Sequence, residues 1–207
     1  LVALVLNQDF FGRTAVRVAV LVPWVVPTAV NALIWVWMLD GSRGVINDLL
    51  VRAGVVSQYP EWLSHPTRAF AAVILAMVWR GMPFFAIMIL AALQSLSHEV
   101  LEAARVDGAT RIQLFFRIVL PMIRPAVVTA TLLRTIWVSN HLDLILMMTG
   151  GGPGYQTTTL PMYVYHRAWI RLDFGYGAAI SLLLALLLLV MAAWYLRSLR
   201  DVEARFR

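Results

Sequence analysis

The chain has no cysteine, so it can form neither a disulfide nor a thiolate metal site. It has no lysine either: all 17 basic residues are arginine. A Walker A loop needs its lysine to reach the nucleotide phosphates, so this chain cannot carry that motif. Schiff-base chemistry is excluded with it. Charge of both signs is scarce, at 14% of 207 residues against 61% hydrophobic. A soluble domain of this length cannot usually hide so much apolar surface.

What is present is long apolar runs. A bilayer-spanning helix needs about 20 mostly apolar residues, and four stretches meet that length: Ala15–Leu39, Ala69–Leu93, Ala126–Thr149 and Gly177–Leu196. The fold class expected is all-α, a polytopic transmembrane helical bundle. The run Leu1–Leu6 is apolar but too short to span, and reads as the tail of a further transmembrane helix. There is no basic stretch or small-residue cleavage pattern of a signal peptide. No repeat, low-complexity segment or linker divides the chain, so residues 1–207 read as one transmembrane domain, truncated at its N-terminus.

The net charge of +6 does not point to nucleic acid, because the arginines sit in short loops between spans. Ten of them (Arg13, Arg17, Arg105, Arg111, Arg117, Arg124, Arg197, Arg200, Arg205, Arg207) fall on one side if the four spans alternate. Five (Arg43, Arg52, Arg68, Arg167, Arg171) fall on the other. Positive residues concentrate in cytoplasmic loops. This places the C-terminus in the cytoplasm of a multi-pass inner-membrane protein. The external loops hold turn formers, Asp40–Gly44 and Gly150–Gly154, the second read as a flexible lip. Trp35, Trp37, Trp62, Trp169 and Trp194 near span ends read as headgroup anchors.

The loop between the second and third runs, about residues 97–125, is not a slack connector. Ser97 can cap a helix with Glu99 in its first turn. Leu101, Ala104 and Gly108 fall on one face, and Gly108 suits a left-handed helix end. Thr110 can open a second short helix with Leu114, Phe115 and Ile118 along one stripe, and Pro121 is expected to stop it. A small, apolar face with a charged rim fits a partner protein, or an amphipathic helix resting on lipid.

This segment resembles a known family. Glu102-Ala103-Ala104, Asp107-Gly108-Ala109, Ile118, Leu120-Pro121 and Pro125 look like the EAA loop of ATP-binding-cassette (ABC) importer permeases, with the long spacing kept. Pro23-Trp24, Ile34–Trp37, Trp79–Phe84 and Leu146–Pro153 look like permeases of the maltose-transporter MalF class, so the resemblance runs through nearly the whole chain. It implies the MetI-like permease fold and half of a translocation pore for a sugar or related small solute. It also implies a coupling helix seated in a cytoplasmic ATPase, with Glu102 making polar contacts, Ala103, Ala104 and Gly108 packing closely, and Asp107, Phe115, Leu120 and Pro121 completing the surface. The implied partners are a second permease, two ATPase subunits that hold ATP and Mg, and an extracytoplasmic solute-binding protein. The permease itself would have no catalytic residue, no cofactor and no metal.

Charged groups inside a membrane are costly and tend to face a bundle interior. Arg80 lies about 15 Å into its run at helical rise, followed by Pro83, and broken helices at the midplane often mark transport sites. It can line the path, satisfy freed carbonyls or pair with a partner subunit. Asn140 and Asp143 are one helical turn apart, so they can share a face. Asn140 is read as lining the translocation path. Asp143 can line it too, although pairing with Arg134 or Arg80 is favoured. His141 has no ligand partner at metal-binding spacing. Midplane charges also suit an ion-coupled secondary transporter that works without an ATPase.

Overall fold

The computed structural model describes the backbone of residues 1–204 and the side chains through Arg197, so Arg205, Arg207 and the side chain of Arg200 lie outside the described residues. In chain order the helices are α1 (Val2–Leu6), α2 (Arg13–Val25), α3 (Thr28–Met38), α4 (Val45–Arg52), α5 (Pro66–Gln94), α6 (His98–Val106), α7 (Arg111–Leu114), α8 (Leu120–Ser139), α9 (Asp143–Met148), α10 (Leu160–Tyr165) and α11 (Phe174–Ala204). Two wide π-turns, Phe115–Val119 and His166–Ile170, follow α7 and α10. No strand occurs among the described residues. The fold is all-α and polytopic, as the composition requires.

Among the described residues, three helical runs are long and apolar enough to cross a bilayer: Pro66–Gln94, Arg111–Ser139 and Phe174–Arg197. Two expectations change here. The run Ala15–Leu39 is not one straight helix. It breaks at Val26-Pro27 into α2 and α3, bent by 99°. Pro27 has no N–H to donate and pushes Val26 out of helical geometry; its own ψ is 142°, extended. The third run does not cover Ala126–Thr149 either. It begins at Arg111 and ends at Ser139, and α9 is a separate short helix.

Pro121 does not stop the helix it was expected to end. Its ring would clash with the carbonyl four residues back and it cannot donate to it. The chain widens just before it, with the Leu120 N–H bonding to the Phe115 carbonyl, and so passes through Pro121 into α8. Likewise Pro83 does not break α5, which is continuous around it.

Packing divides the chain into two compact units. One comprises Leu1–Val22, Met82–Thr135 and the described residues from Leu189 onward; the other comprises Pro23–Gly81 and Ile136–Leu188. The core of the second unit holds Ala32 and Leu39 of α3 and its C-terminal end, Ala72, Val73 and Ala76 of α5, Leu144, Ile145 and Met148 of α9, and Met162 of α10. Ala32, Ala72 and Ala76 have no exposed surface. Small side chains let helix backbones approach closely, which is how membrane helices gain packing without a hydrophobic driving force. Asn47 is fully buried but satisfied: it donates to the carbonyls of Asp40 and Pro60 at 2.9 and 3.2 Å and accepts from Trp62 Nε1 at 2.6 Å. Trp62 therefore pins a loop onto the core. Trp35 also packs inward, edge-on to Trp79 at 6.1 Å.

The core of the first unit holds Ala3, Leu93, Val119 and Ile123, with Leu101, Leu114 and Phe115 packed against it. In α11 only 6% of the apolar window is buried, so its leucines present a surface suited to lipid.

Candidate functional site

The segment from α6 to α8 is the best-defined surface with a sequence signal. Ser97 stands at the N-cap of α6 as expected but makes no side-chain cap bond. The other end of α6 closes tightly: the Ala109 N–H bonds to the Ala104 carbonyl and the Gly108 N–H to the Arg105 carbonyl, both at 3.0 Å. This is a Schellman closure, which needs a left-handed residue at its turn. Gly108 supplies it with φ of +83°. Thr110 then opens α7 with a reciprocal capping box. Its hydroxyl accepts from the Gln113 N–H at 3.3 Å, while its own N–H donates to Gln113 Oε1 at 2.9 Å. The end of α6 and the start of α7 are thus both closed by local hydrogen bonds, and the corner is fixed without help from a partner.

The corner sorts the sequence-derived residues into two groups. Glu102, Ala103, Asp107 and Gly108 are exposed. Ala104 faces inward and keeps only 8% of its surface, while Ala103 is exposed. The reason is helical: Ala104 lies one turn from Leu101, which packs on the chain's own core. Phe115 is half-buried on that same core, with Phe116 edge-on to it at 5.1 Å and 61% exposed. Leu120 is partly open and Pro121 half-buried in the helix. Sequence reasoning missed Val106 and Ile112, which are 87% and 72% exposed on either side of the turn. Both interrupt the polar face of their helices, and that interruption was the available signal. No carboxylate of this loop makes an ion pair among the described residues.

Arg80, Asn140 and Asp143 are not brought together in the way their spacing suggested. Arg80 Nη2 donates to the Thr28 hydroxyl at 2.7 Å, at the first turn of α3, while its buried Nη1 has no partner. It therefore ties α5 to the segment that follows the Pro27 break. Asn140 and Asp143 do not share a helical face, because the α-helical ladder ends between them. The Asn140 and His141 amides make only three-residue turns to Trp137 and Val138. Asn140 is exposed and its Nδ2 donates to the Ile136 carbonyl at 2.9 Å. Asp143 is exposed in the first turn of α9, where a carboxylate complements the helix dipole.

The Gly150–Gly154 loop differs from the flexible lip expected of it. Thr157 is buried and its hydroxyl lies 2.7 Å from that of Thr149 and donates to the Gly152 carbonyl at 2.8 Å. The Thr158 hydroxyl donates to the Gly151 carbonyl at 3.0 Å. Threonines supply the bonds that the glycines cannot. No group of three or more His, Asp or Glu able to hold a metal occurs among the described residues.

The sequence matches the profile of the family described as the binding-protein-dependent transport system inner membrane component, over residues 1–203. Among curated proteins it is similar to the sulfoquinovosyl glycerol transport system permease protein of Agrobacterium fabrum, at 41% identity over 97% of this chain and 65% of the relative. It is also similar to the trehalose/maltose transport system permease protein of Thermococcus litoralis, at 38% identity over 94% of this chain and 65% of the relative. The chain thus spans 65% of the length of both. Among solved structures it superposes on a chain of a bacterial ABC transporter that imports the acidic polysaccharide alginate. The TM-score is 0.83 at 26% identity, covering 96% of this chain and 70% of that one.

Proposed function

The chain belongs to the family of binding-protein-dependent transport system inner membrane components, and from that premise we propose that it forms half of the translocation pore of an ABC importer for a sugar or related small solute. The observation that carries the reading is the rigid α6–α7 corner, which presents Glu102, Ala103, Val106, Asp107, Ile112 and Phe116 outward. Exposed apolar groups on a fixed scaffold, ringed by charge, suit the cleft of a partner. In this reading the corner is the coupling element, seated in a cytoplasmic ATPase subunit. Closure of two such subunits on ATP and Mg drives the pore between inward-facing and outward-facing states. The chain itself carries no catalytic residue, in keeping with its lack of lysine. The other partners are a second permease and an extracytoplasmic solute-binding protein; a neighbouring alginate importer has been seen in complex with its substrate-bound periplasmic protein. The C-terminus lies in the cytoplasm, on the side of the coupling corner. Relatives named for sulfoquinovosyl glycerol and for trehalose and maltose support a glycoside as the cargo. Arg80, Asn140 and Asp143 serve in or beside the path, Arg80 as the brace that fixes the bent α2–α3 segment.

The test is reconstitution of the permease with its ATPase and binding protein in proteoliposomes. Burial of one large aliphatic side chain is worth about 1.5–3 kcal/mol, so Val106→Asp and Ile112→Asp should each weaken ATPase association more than about tenfold. ATP-driven uptake should fall with it. Solute uptake that needs no ATP, or normal coupling in both variants, would overturn the proposal, and the first outcome would favour ion coupling.

A further inference from the structure

An open cleft of about 430 Å³ is lined by Tyr155, Tyr163, His166, Arg167, Ile170 and Arg171, all in the second unit. Nothing in the coupling or pore readings uses it. Its walls are unusual in the backbone as well as in chemistry. His166–Ile170 is a π-turn, and such turns recur at functional sites. Tyr155 and Leu172 are the two non-glycine residues with positive φ, at 64° and 57°, among the described residues. Residues held in that region cost of order 1–3 kcal/mol and persist where the surroundings over-determine them.

The side chains are set for an anion. Arg167 is fixed in place: its Nε and Nη2 donate to the Tyr163 hydroxyl at 3.0 and 2.7 Å, and its guanidinium lies over the Tyr176 ring at 4.7 Å. An arginine has five N–H donors in a planar fork, so this clamp orients the group without exhausting it. An arginine is a permanent cation, and the Tyr163 bond holds the pKa of this one above its ordinary value. Arg171 is exposed at the rim and makes no ion pair among the described residues. No carboxylate lines the cleft. Asp173, the nearest acid in the chain, is engaged with the Tyr176 N–H at 3.1 Å, capping α11. His166 reaches the Gly150 carbonyl at 3.3 Å.

Depth narrows the source of the anion. The apolar span of α11 starts at Phe174, three positions beyond Arg171. Trp169 and Phe174 form an edge-to-face pair at 5.9 Å and remain 66% and 54% exposed, with Ile170 and Leu172 also open. Aromatic rings and arginines together at a span end mark the headgroup level. We infer that this cleft binds a phosphate-type oxyanion at headgroup depth, with Arg167 and Arg171 as its ligands and the exposed Trp169–Phe174 edge as the apolar neighbour. The volume suits a glycerophosphate headgroup better than a bare ion. The inference needs only the membrane location of the chain and stands apart from the transport reading.

The experiment uses the full chain in mild detergent. Bound phosphatidylglycerol and phosphatidylcholine are compared by native mass spectrometry, and thermal stability is measured against inorganic phosphate. One basic residue at an anionic surface is worth about fivefold in affinity. Phosphatidylglycerol retained over phosphatidylcholine, with about a fivefold loss in Arg171→Gln and recovery in Arg171→Lys, supports the site with lipid as the source. Stabilisation by inorganic phosphate, lost in the same variant and without lipid preference, supports the site with a soluble source. Arg124→Gln, an exposed arginine elsewhere, controls for charge alone. Equal losses in Arg124→Gln and Arg171→Gln, or no response to either ligand, would overturn the inference.

Discussion

Gly108 offers a pair of substitutions that separates strain from bulk. It sits at φ of +83° in the Schellman turn between α6 and α7. Any L-residue there pays about 1–2 kcal/mol for the left-handed geometry, a factor of about 5–30 in the local equilibrium. A Cβ at this position meets nothing within 4 Å, so Gly108→Ala and Gly108→Trp share the strain and differ only in what they present outward. Gly108→Asn is the control, because asparagine tolerates that region. All three should insert in the membrane equally. ATP-driven uptake in proteoliposomes with partner ATPase and binding protein should be near normal for Asn, reduced for Ala and abolished for Trp. ATPase co-purification should be lost only for Trp. If Trp behaves as Ala does, bulk at the corner is irrelevant, no cleft closes on it, and the coupling assignment fails.

Other sites make separate demands. Thr28→Val removes the hydroxyl that holds Arg80 and leaves a second guanidinium nitrogen without a partner, which should cost about 1–3 kcal/mol. Thr28→Ser should restore most of it, and equal melting temperatures for Val and wild type in detergent would show that the brace is idle. Gly151→Ala forces a Cβ to 2.7 Å from Thr158 Oγ1 and 3.3 Å from Met162 Cγ at φ of +89°. It should lower thermal stability more than Gly108→Ala does, since strain and a clash with buried Met162 add. Tyr163 titrates below its ordinary value of 10.0, first because Arg167 donates to its hydroxyl. The stability linked to this ionisation is complete above the ordinary value and is lost as pH falls through the lowered one. Arg167→Gln should move the Tyr163 titration upward, read as tyrosinate absorbance against Tyr163→Phe, and an unmoved curve would refute the clamp.

The membrane class, the absence of a nucleotide loop and the α6–turn–α7 corner were legible in the residues themselves, because each depends on composition or on neighbours within a few positions. A soluble domain of this length cannot usually hide 61% hydrophobic content. Gly108 and the Thr110/Gln113 pair specify their turn by local hydrogen bonding alone. The helix ends were legible only in part. Apolar runs give length but not direction, so the bend at Pro27 and the break after Ser139 were hidden inside continuous hydrophobicity. Pro121 read as a stop because sequence does not reveal that a π-turn can absorb it. Which side of α6 is open was decided by the tertiary packing: Leu101 turns inward onto a core that includes Leu93, Val119 and Ile123, Ala104 is buried one turn away, and Val106 and Ile112 are left outside. The same holds for Arg80, whose partner Thr28 lies 52 residues away in the chain, and for the cleft at Arg167, where Tyr155 comes together with Tyr163 of α10 and the turn His166–Ile170. Local patterns fix turns and element types; the pairing of distant residues is a property of packing, which no single segment encodes.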